Sequence, residues 1–224
     1  MPRQFVIADI HGCCRTFRHL VFDRIKLTRE DSLVLLGDYI DRGPDSKGVL
    51  DTIIELQLTG YEVHPILGNH EQLLLQSTDP HKLAIWLDNG GIETLASYDV
   101  KHPFDLPDDH VEFMQNLPEC HVSDTHVFVH AGLNFCLVDP LIMTSQDFKL
   151  WNRQKQKVTP ATIGNRKLVT GHTVHYLDAI DKSLKSVHIR LDNGCYMGDQ
   201  YSGKGNLVAF ELTTGELTVQ ENIE

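Results

Sequence analysis

The sequence predicts an α/β fold: two β-sheets packed face to face with helices outside, the front half being a βαβαβ unit. Three observations carry this. Short apolar runs alternate with stretches of helical spacing from residue 5 to residue 69. The second run is apolar on both faces, as a parallel strand covered by helices is. Each run also ends in glycine beside Asp, His or Asn, at the strand end where open α/β sheets hold ligands.

In order, Phe5-Val6-Ile7-Ala8-Asp9 is the first strand and stops at the turn signal His11-Gly12. Phe17, Leu20, Val21, Arg24 and Ile25 then fall on one helical stripe. Ser32–Leu36 is the second strand, ending at Gly37-Asp38. Val49, Leu50, Ile53, Ile54 and Leu56 make a second helix, with Gly60 as its stop. Glu62–Leu67 is a third strand, and Pro65 places it at a sheet edge. From His70 to about Leu117 the pattern is helical, broken at Gly90-Gly91. Val127–His130 and Lys167–Thr170 are further strands. Val187–Leu191, Leu207–Phe210 and Leu217–Val219, separated by Gly-rich turns, read as antiparallel strands. Lys149–Lys157 reads as a basic loop.

Composition bounds the function. With 41% hydrophobic and 23% charged residues and no repeat or low-complexity linker, residues 1–224 read as one globular domain. The net charge of −11 argues against nucleic-acid or anionic-membrane partners. No apolar run is long enough to span a bilayer, and the start lacks a signal peptide's apolar stretch. Five cysteines without a C-x-x-C pair argue against a disulfide framework or a thiolate zinc site. The expected location is the cytoplasm, with reduced thiols.

Five strand ends carry side chains that bind metals: Asp9-Ile10-His11-Gly12, Gly37-Asp38-Tyr39-Ile40-Asp41-Arg42-Gly43, Gly68-Asn69-His70-Glu71, His130-Ala131-Gly132 and Gly171-His172-Thr173. Each alone is an ordinary turn or loop. Together they supply carboxylate, amide and imidazole ligands, which suit two divalent ions of intermediate hardness and need no thiolate. Such pairs clamp phosphoryl groups during hydrolysis.

On these motifs the chain resembles the calcineurin-like metallophosphoesterases, and within them the short bacterial and phage form of the phosphoprotein phosphatases. The family pattern is D-x-H, G-D-x-x-D-R-G, G-N-H-E, an isolated His and a G-H. Trp86-Leu87-Asp88-Asn89-Gly90-Gly91 and Trp151-Asn152-Arg153 match two further segments of the short forms. The likeness runs from about residue 5 to about residue 195. It implies the two-sheet sandwich and a serine/threonine protein phosphatase, with phosphotyrosine as a further substrate. It implies that Asp9 and His11 hold one ion, that Asp38 bridges, and that Asn69, His130 and His172 hold the other. Mn²⁺ is the expected metal, with Fe, Zn or Co also suited. Arg42 and Arg153 then grip the phosphate beside Asn69, and His70, oriented by Asp41, protonates the leaving group. Two ions and two carboxylates leave a charge of +2, enough to hold a bridging hydroxide for in-line attack and still attract a phosphate dianion.

Two other readings compete. Symmetrical diadenosine tetraphosphatases share the motifs but usually have Ala in place of Asp41, whereas Pro44 echoes them. A non-catalytic scaffold of the same fold typically loses ligands, and none is missing here. Asp192 reads as supporting the site from behind or lining its rim, no role for His175 follows from its place three residues past His172, and Asn89 is expected to line the cleft or cap a helix. The remaining histidines read as surface or core residues. The global negative charge predicts a preference for phosphosites flanked by Lys or Arg.

Overall fold

The structure, a computed structural model, describes residues 2–155 and 157–224; Met1, and Gln156 in the expected basic loop, lie outside the described residues. The first sheet has the order β3-β2-β1-β8-β9. Its strands are β1 (Gln4–Ile7), β2 (Ser32–Leu35), β3 (Glu62–Pro65), β8 (Asn206–Glu211) and β9 (Leu217–Glu221). β1, β2 and β3 run parallel, and β8 and β9 are antiparallel additions on the other side of β1. β3 is the edge that its proline predicts. The second sheet has the order β4-β5-β6-β7: β4 (Cys120–Val122), β5 (His126–Val129), β6 (Lys167–Thr170) and β7 (His188–Arg190).

Side-chain alternation along the strands builds the layers. Phe5, Ile7, Leu33 and Leu35 face one way, into a core with Phe17, Val49, Leu50 and Ile53 of the helices. Val6, Ala8, Val34 and Leu36 face the other way and meet Phe128, Val169 and Ile189 of the second sheet. Val127, Val129 and Leu168 cover that sheet's outer face with Leu133, Val158 and Ile163. The two-sheet sandwich is as the sequence predicts.

The outer helices are α1 (Cys14–Arg18, continued by a wider turn over His19–Arg24), α2 (Ser46–Leu58), α3 (Asn69–Gln76), α4 (Pro80–Trp86), α5 (Ile92–Ser97), α6 (Asp108–Gln115), α7 (Pro140–Met143), α8 (Gln146–Trp151) and α9 (Leu177–Leu184). α2 is capped by Asp45, which accepts the Gly48 N–H at 2.8 Å. Gly60 ends it with φ +87°, a left-handed stop that a side chain would resist. Among the described residues no helix is long and apolar enough to cross a membrane, and all five cysteines are free.

Two expectations are corrected. β7 is not antiparallel: it pairs parallel with β6, because α9 supplies the crossover that a parallel pair needs. Lys149–Lys157 is not wholly loop. Lys149 lies in α8, buried, with its ammonium 2.7 Å from Glu119 Oε2. β4 and α9 are elements beyond those expected.

The start of β1 is tied to the turn before β2. Arg3 donates its backbone N–H, Nε and Nη2 to the Asp31 carboxylate at 3.0, 3.1 and 2.6 Å, and Thr28 adds its N–H and hydroxyl at 2.9 Å each. Burial opposes ionisation, but these bonds win and hold Asp31 well below the usual carboxylate range. The stabilisation is present above the unfolded carboxylate pKa and is lost as pH falls through the lower folded value. Asp31→Ala is expected to cost about 1–2 kcal/mol at pH 7, allowing for solvent screening, with the gap narrowing as the pH falls into the carboxylate range. Urea unfolding at several pH values checks this; a gap that does not change with pH rules out the charge as its source.

Candidate active site

The parallel strands of both sheets end at one place. From the first sheet, the loop after β1 brings Asp9 and His11, the loop after β2 brings Asp38, Asp41 and Arg42, and the first turn of α3 brings Asn69, His70 and Glu71. From the second, β5 leads to His130, β6 to His172 and β7 to Asp192. All of these except Arg42 are buried.

The loops are stitched together. Ile10 and His11 donate backbone N–H groups to Asp38 O at 3.0 and 2.9 Å, and Gly12 to Tyr39 O at 2.8 Å. Gly12 and Gly43 lie in backbone contact, so a Cβ on either would collide with the other. His11, Asp38, Asp41, Arg42 and His172 all have positive φ, between +47° and +73°. Such backbone costs on the order of 1–3 kcal/mol per residue and persists only where surrounding bonds enforce it.

His11 Nδ1 donates to Ile40 O at 2.9 Å, leaving Nε2 facing Asp38 Oδ2 at 3.5 Å. His130 Nδ1 donates to Leu36 O at 2.7 Å, which turns its Nε2 inward. That Nε2 lies 2.9 Å from Asn69 Oδ1, 3.1 Å from His172 Nδ1 and 3.4 Å from Asp38 Oδ2. Donor atoms of His11, Asp38 and His70 form one group, and those of Asp38, His130 and His172 another, each within 4.8 Å and sharing Asp38. One imidazole proton cannot serve three neighbouring acceptors, whereas a divalent cation can. The nitrogen and oxygen donor set therefore fits a pair of metal ions. His172 Nε2 is buried with no partner. Asp9 belongs to neither group, and both of its oxygens accept the His172 N–H at 3.0 Å. His70, expected beside the ligands, has a donor atom inside the first group.

Packing these groups together shifts them in opposite directions. Burial opposes it, but Asp38 and Asp9 push His130 up to about 10. Burial and the neighbouring His130 push His172 down to about 3. Burial and His70 lower His11. Burial and Asp192 push Asp9 up.

His70 Nδ1 lies 2.7 Å from Asp41 Oδ2. Asp41 is fully buried and also receives the Thr94 hydroxyl at 2.6 Å and the Trp86 indole N–H at 3.1 Å. Arg42 donates an Nη1 hydrogen to His11 Nε2 at 2.7 Å, and its guanidinium lies 4.6 Å over the Tyr196 ring. The Gly90-Gly91 break positions it: Gly90 O accepts the Arg42 N–H at 3.2 Å, and a Cβ on Gly90 would strike Arg42. Arg153 is exposed, on a cavity wall shared with Gly171.

Asp192 is buried near Asp9 and accepts the Gly194 N–H at 2.7 Å; burial pushes it up to about 6. His175 donates its N–H to Asp192 O at 2.8 Å and lines the cavity rather than the cluster. Asn89 donates to Ile85 O within its own helical turn at 2.8 Å. Glu71 and Trp86 stand in sequence motifs with no role of their own there, and Thr94 and Tyr196 stand in none. Glu71 was detectable: an acidic residue three after Gly68 at a helix start is the capping position. Thr94 and Tyr196 lie too far along the chain for spacing to reveal them.

The chain is 40% identical over 91 residues to serine/threonine-protein phosphatase 1 of Salmonella typhimurium, covering 39% of this chain and 38% of that protein. It is 33% identical over 135 residues to a symmetrical bis(5'-nucleosyl)-tetraphosphatase of Nitrosospira multiformis, covering 58% and 43%. The matches thus span about two fifths of the relatives' length. A protein serine/threonine phosphatase of Saccharomyces cerevisiae superposes with a TM-score of 0.64 at 16% identity, covering 100% of this chain and 81% of that one. A cold-active protein-tyrosine phosphatase of a Shewanella species superposes at 0.62 with 15% identity, covering 99% and 81%. These two carry the fold alone. The family model of the calcineurin-like phosphoesterases matches residues 2–199. With nearly the whole chain inside that model and the loops that carry the candidate ligands gathered at one sheet end, the protein belongs to the calcineurin-like metallophosphoesterases, a family of hydrolases.

Proposed function

We propose that the chain is a protein phosphatase that hydrolyses phosphoserine and phosphothreonine, and phosphotyrosine as a further substrate. The observation that carries this is the buried Asp41–His70 pair, 2.7 Å apart. The leaving group of a phosphoserine is a poor one and needs a proton. His70 supplies it from Nε2, because Asp41 holds Nδ1.

Asp9, His11 and Asp38 would hold one ion, and Asp38, Asn69, His130 and His172 the other, with Mn²⁺ the expected metal. When bound, such a pair supplies Lewis acidity and lowers the pKa of water toward neutrality. The protein's own groups do the rest. Arg42, splinted by Tyr196, and Arg153 bind the phosphate oxygens, their planar forks meeting two oxygens each. Asn69 adds an amide donor. Asp41 keeps the imidazole aimed at the leaving oxygen.

A symmetrical dinucleoside tetraphosphatase is the second reading. The Nitrosospira relative favours it by matching a larger share of the chain, as does Pro44 after Gly43. Asp41 weighs against it, since an ADP leaving group needs far less protonation than an alkoxide. The test is a product assay on Mn²⁺-loaded protein, with Asp9→Asn and His70→Asn as blanks. Phosphate released from phosphopeptides and lost in both blanks is expected. ADP from diadenosine tetraphosphate, in large excess over peptide turnover, reverses the assignment.

A further inference from the structure

Beside the cluster lies a cavity of about 320 Å³, roughly ten times the ~30 Å³ share of one liquid water. Its lining includes chain neighbours of the cluster: Gly171 and Thr173, on either side of His172, and Ala131, next to His130. Its remaining wall is cationic. Arg153, Lys155 and Arg190 face it together with His175 and His188, and no carboxylate does. In a chain with 31 acidic and 20 basic residues, that local balance runs against the average. Among the described residues none of the three cations is ion-paired.

Arg190 is the most telling. It sits on β7, half-buried, with its Nε shut off from water and without a partner. A buried guanidinium N–H left unpaired costs free energy unless an acceptor arrives. Thr170 and His188 stand beside it, their side chains 3.0 Å apart. Burial first, and then Arg190, Lys204 and Lys155, lower the His175 imidazole; of these cations Arg190 and Lys155 line the cavity with it.

We propose that this cavity is a second anion subsite, which takes a further phosphoryl group on the substrate and makes doubly phosphorylated peptides the preferred substrates. This rests on the protein-phosphatase reading above. On that reading the phosphate being cleaved lies at the cluster, and Arg153 lines the cavity beside its chain neighbour Asn152. A second phosphorylated residue close by in the peptide meets Arg190 and Lys155. The preference expected from the net charge, for basic flanks, is thereby reversed within reach of the site, because within about a Debye length local charges outweigh the global one.

The test compares a singly with a doubly phosphorylated peptide, and p-nitrophenyl phosphate, which is too small to span both positions, on Mn²⁺-loaded wild type, Arg190→Gln and Lys155→Gln. Wild type is expected to favour the doubly phosphorylated peptide about tenfold in kcat/KM. Arg190→Gln is expected to raise KM for that peptide about tenfold, with kcat and p-nitrophenyl phosphate turnover unchanged. Lys155→Gln, on an exposed loop, is expected to shift KM in the same direction and keeps the question open to test if Arg190→Gln disturbs β7. Equal use of the two peptides by wild type, or a ratio unmoved in both variants, overturns the subsite. A readout independent of turnover is the affinity of His70→Asn protein for each peptide, by fluorescence anisotropy. If wild type hydrolyses none of the three substrates, the phosphatase reading falls and this affinity ratio alone decides: about tenfold keeps the anion subsite, and equality removes it.

Discussion

His70→Asn is expected to lower kcat on a phosphoserine peptide by about 10²- to 10⁴-fold, with KM little changed and the fold intact. The imidazole is buried, and its Nδ1 is fixed by Asp41 at 2.7 Å, so the substitution removes a positioned proton and little else. The fall should depend on the leaving group. An alkoxide needs the proton badly; p-nitrophenolate departs almost unaided. The same variant should therefore lose much less on p-nitrophenyl phosphate. An equal loss on both esters would assign His70 to holding metal or phosphate, which its membership of the group with His11 and Asp38 makes a real competitor. Asp41→Asn tests the partner. Thr94 and Trp86 donate to that carboxylate, so the Asn amide group would have to face a donor. Burial holds Asp41 above the ordinary carboxylate value, against the pull of its hydrogen bonds from His70, Thr94 and Trp86. The double variant should be no worse than the weaker single one, since groups acting as a unit are not additive. Steady-state kinetics on the two esters with three variants is sufficient.

How much of this was legible in the sequence depends on the range over which each signal acts. The βαβαβ half was legible because β1 and β2 are apolar on both faces and their helices carry unbroken stripes. The candidate ligands could be picked out for a related reason: each comes soon after a strand, and parallel strands deliver their C-terminal ends to one edge. β7 was misread because it was grouped with the strands after it, which Gly-rich turns separate as in antiparallel pairs, whereas its partner is β6, before it. Its direction is set by α9, whose apolar residues Leu177, Ile180 and Leu184 face the space between the sheets. Contacts that close the site across long separations were not legible either. Thr94 reaches Asp41 over 53 positions, and Tyr196 meets Arg42 only because the loop after β7 returns to the cluster. Arg190 was invisible as a functional residue because its significance lies in what surrounds it.

Glu71→Gln is expected to cost about 2–4 kcal/mol of stability and to weaken divalent-ion binding about 10- to 100-fold, although Glu71 lies in neither donor group. Its carboxylate is fully buried. It accepts backbone N–H groups from Gly68 and Asp38 at 3.0 Å each, Tyr39 at 2.8 Å and Ile40 at 3.4 Å. Three of these belong to the loop in which Asp38 is held at φ +54°. Burial and the neighbouring Asp38 push Glu71 up to about 7, so an ionised carboxylate here is already held at a cost, and the N–H groups are what hold it. A carboxylate offers acceptors on both oxygens, whereas a Gln presents an NH₂ to one pair of donors. Two buried N–H groups then lose their partner, and the strained loop has less to keep it left-handed. Once it relaxes, the Asp38 carboxylate swings away from His130, His11 and the His70 N–H that it accepts at 3.0 Å. The loss should therefore appear in metal titration as well as in urea unfolding. Asp38→Asn separates the two effects: it should weaken ion binding at least as much while leaving the loop's hydrogen bonds to Glu71, and most of the stability, in place. If Glu71→Gln instead unfolds at the same urea concentration as wild type and binds Mn²⁺ equally well by calorimetry, the loop is held by its connections to Gly12 and Gly43, and Glu71 does not position Asp38.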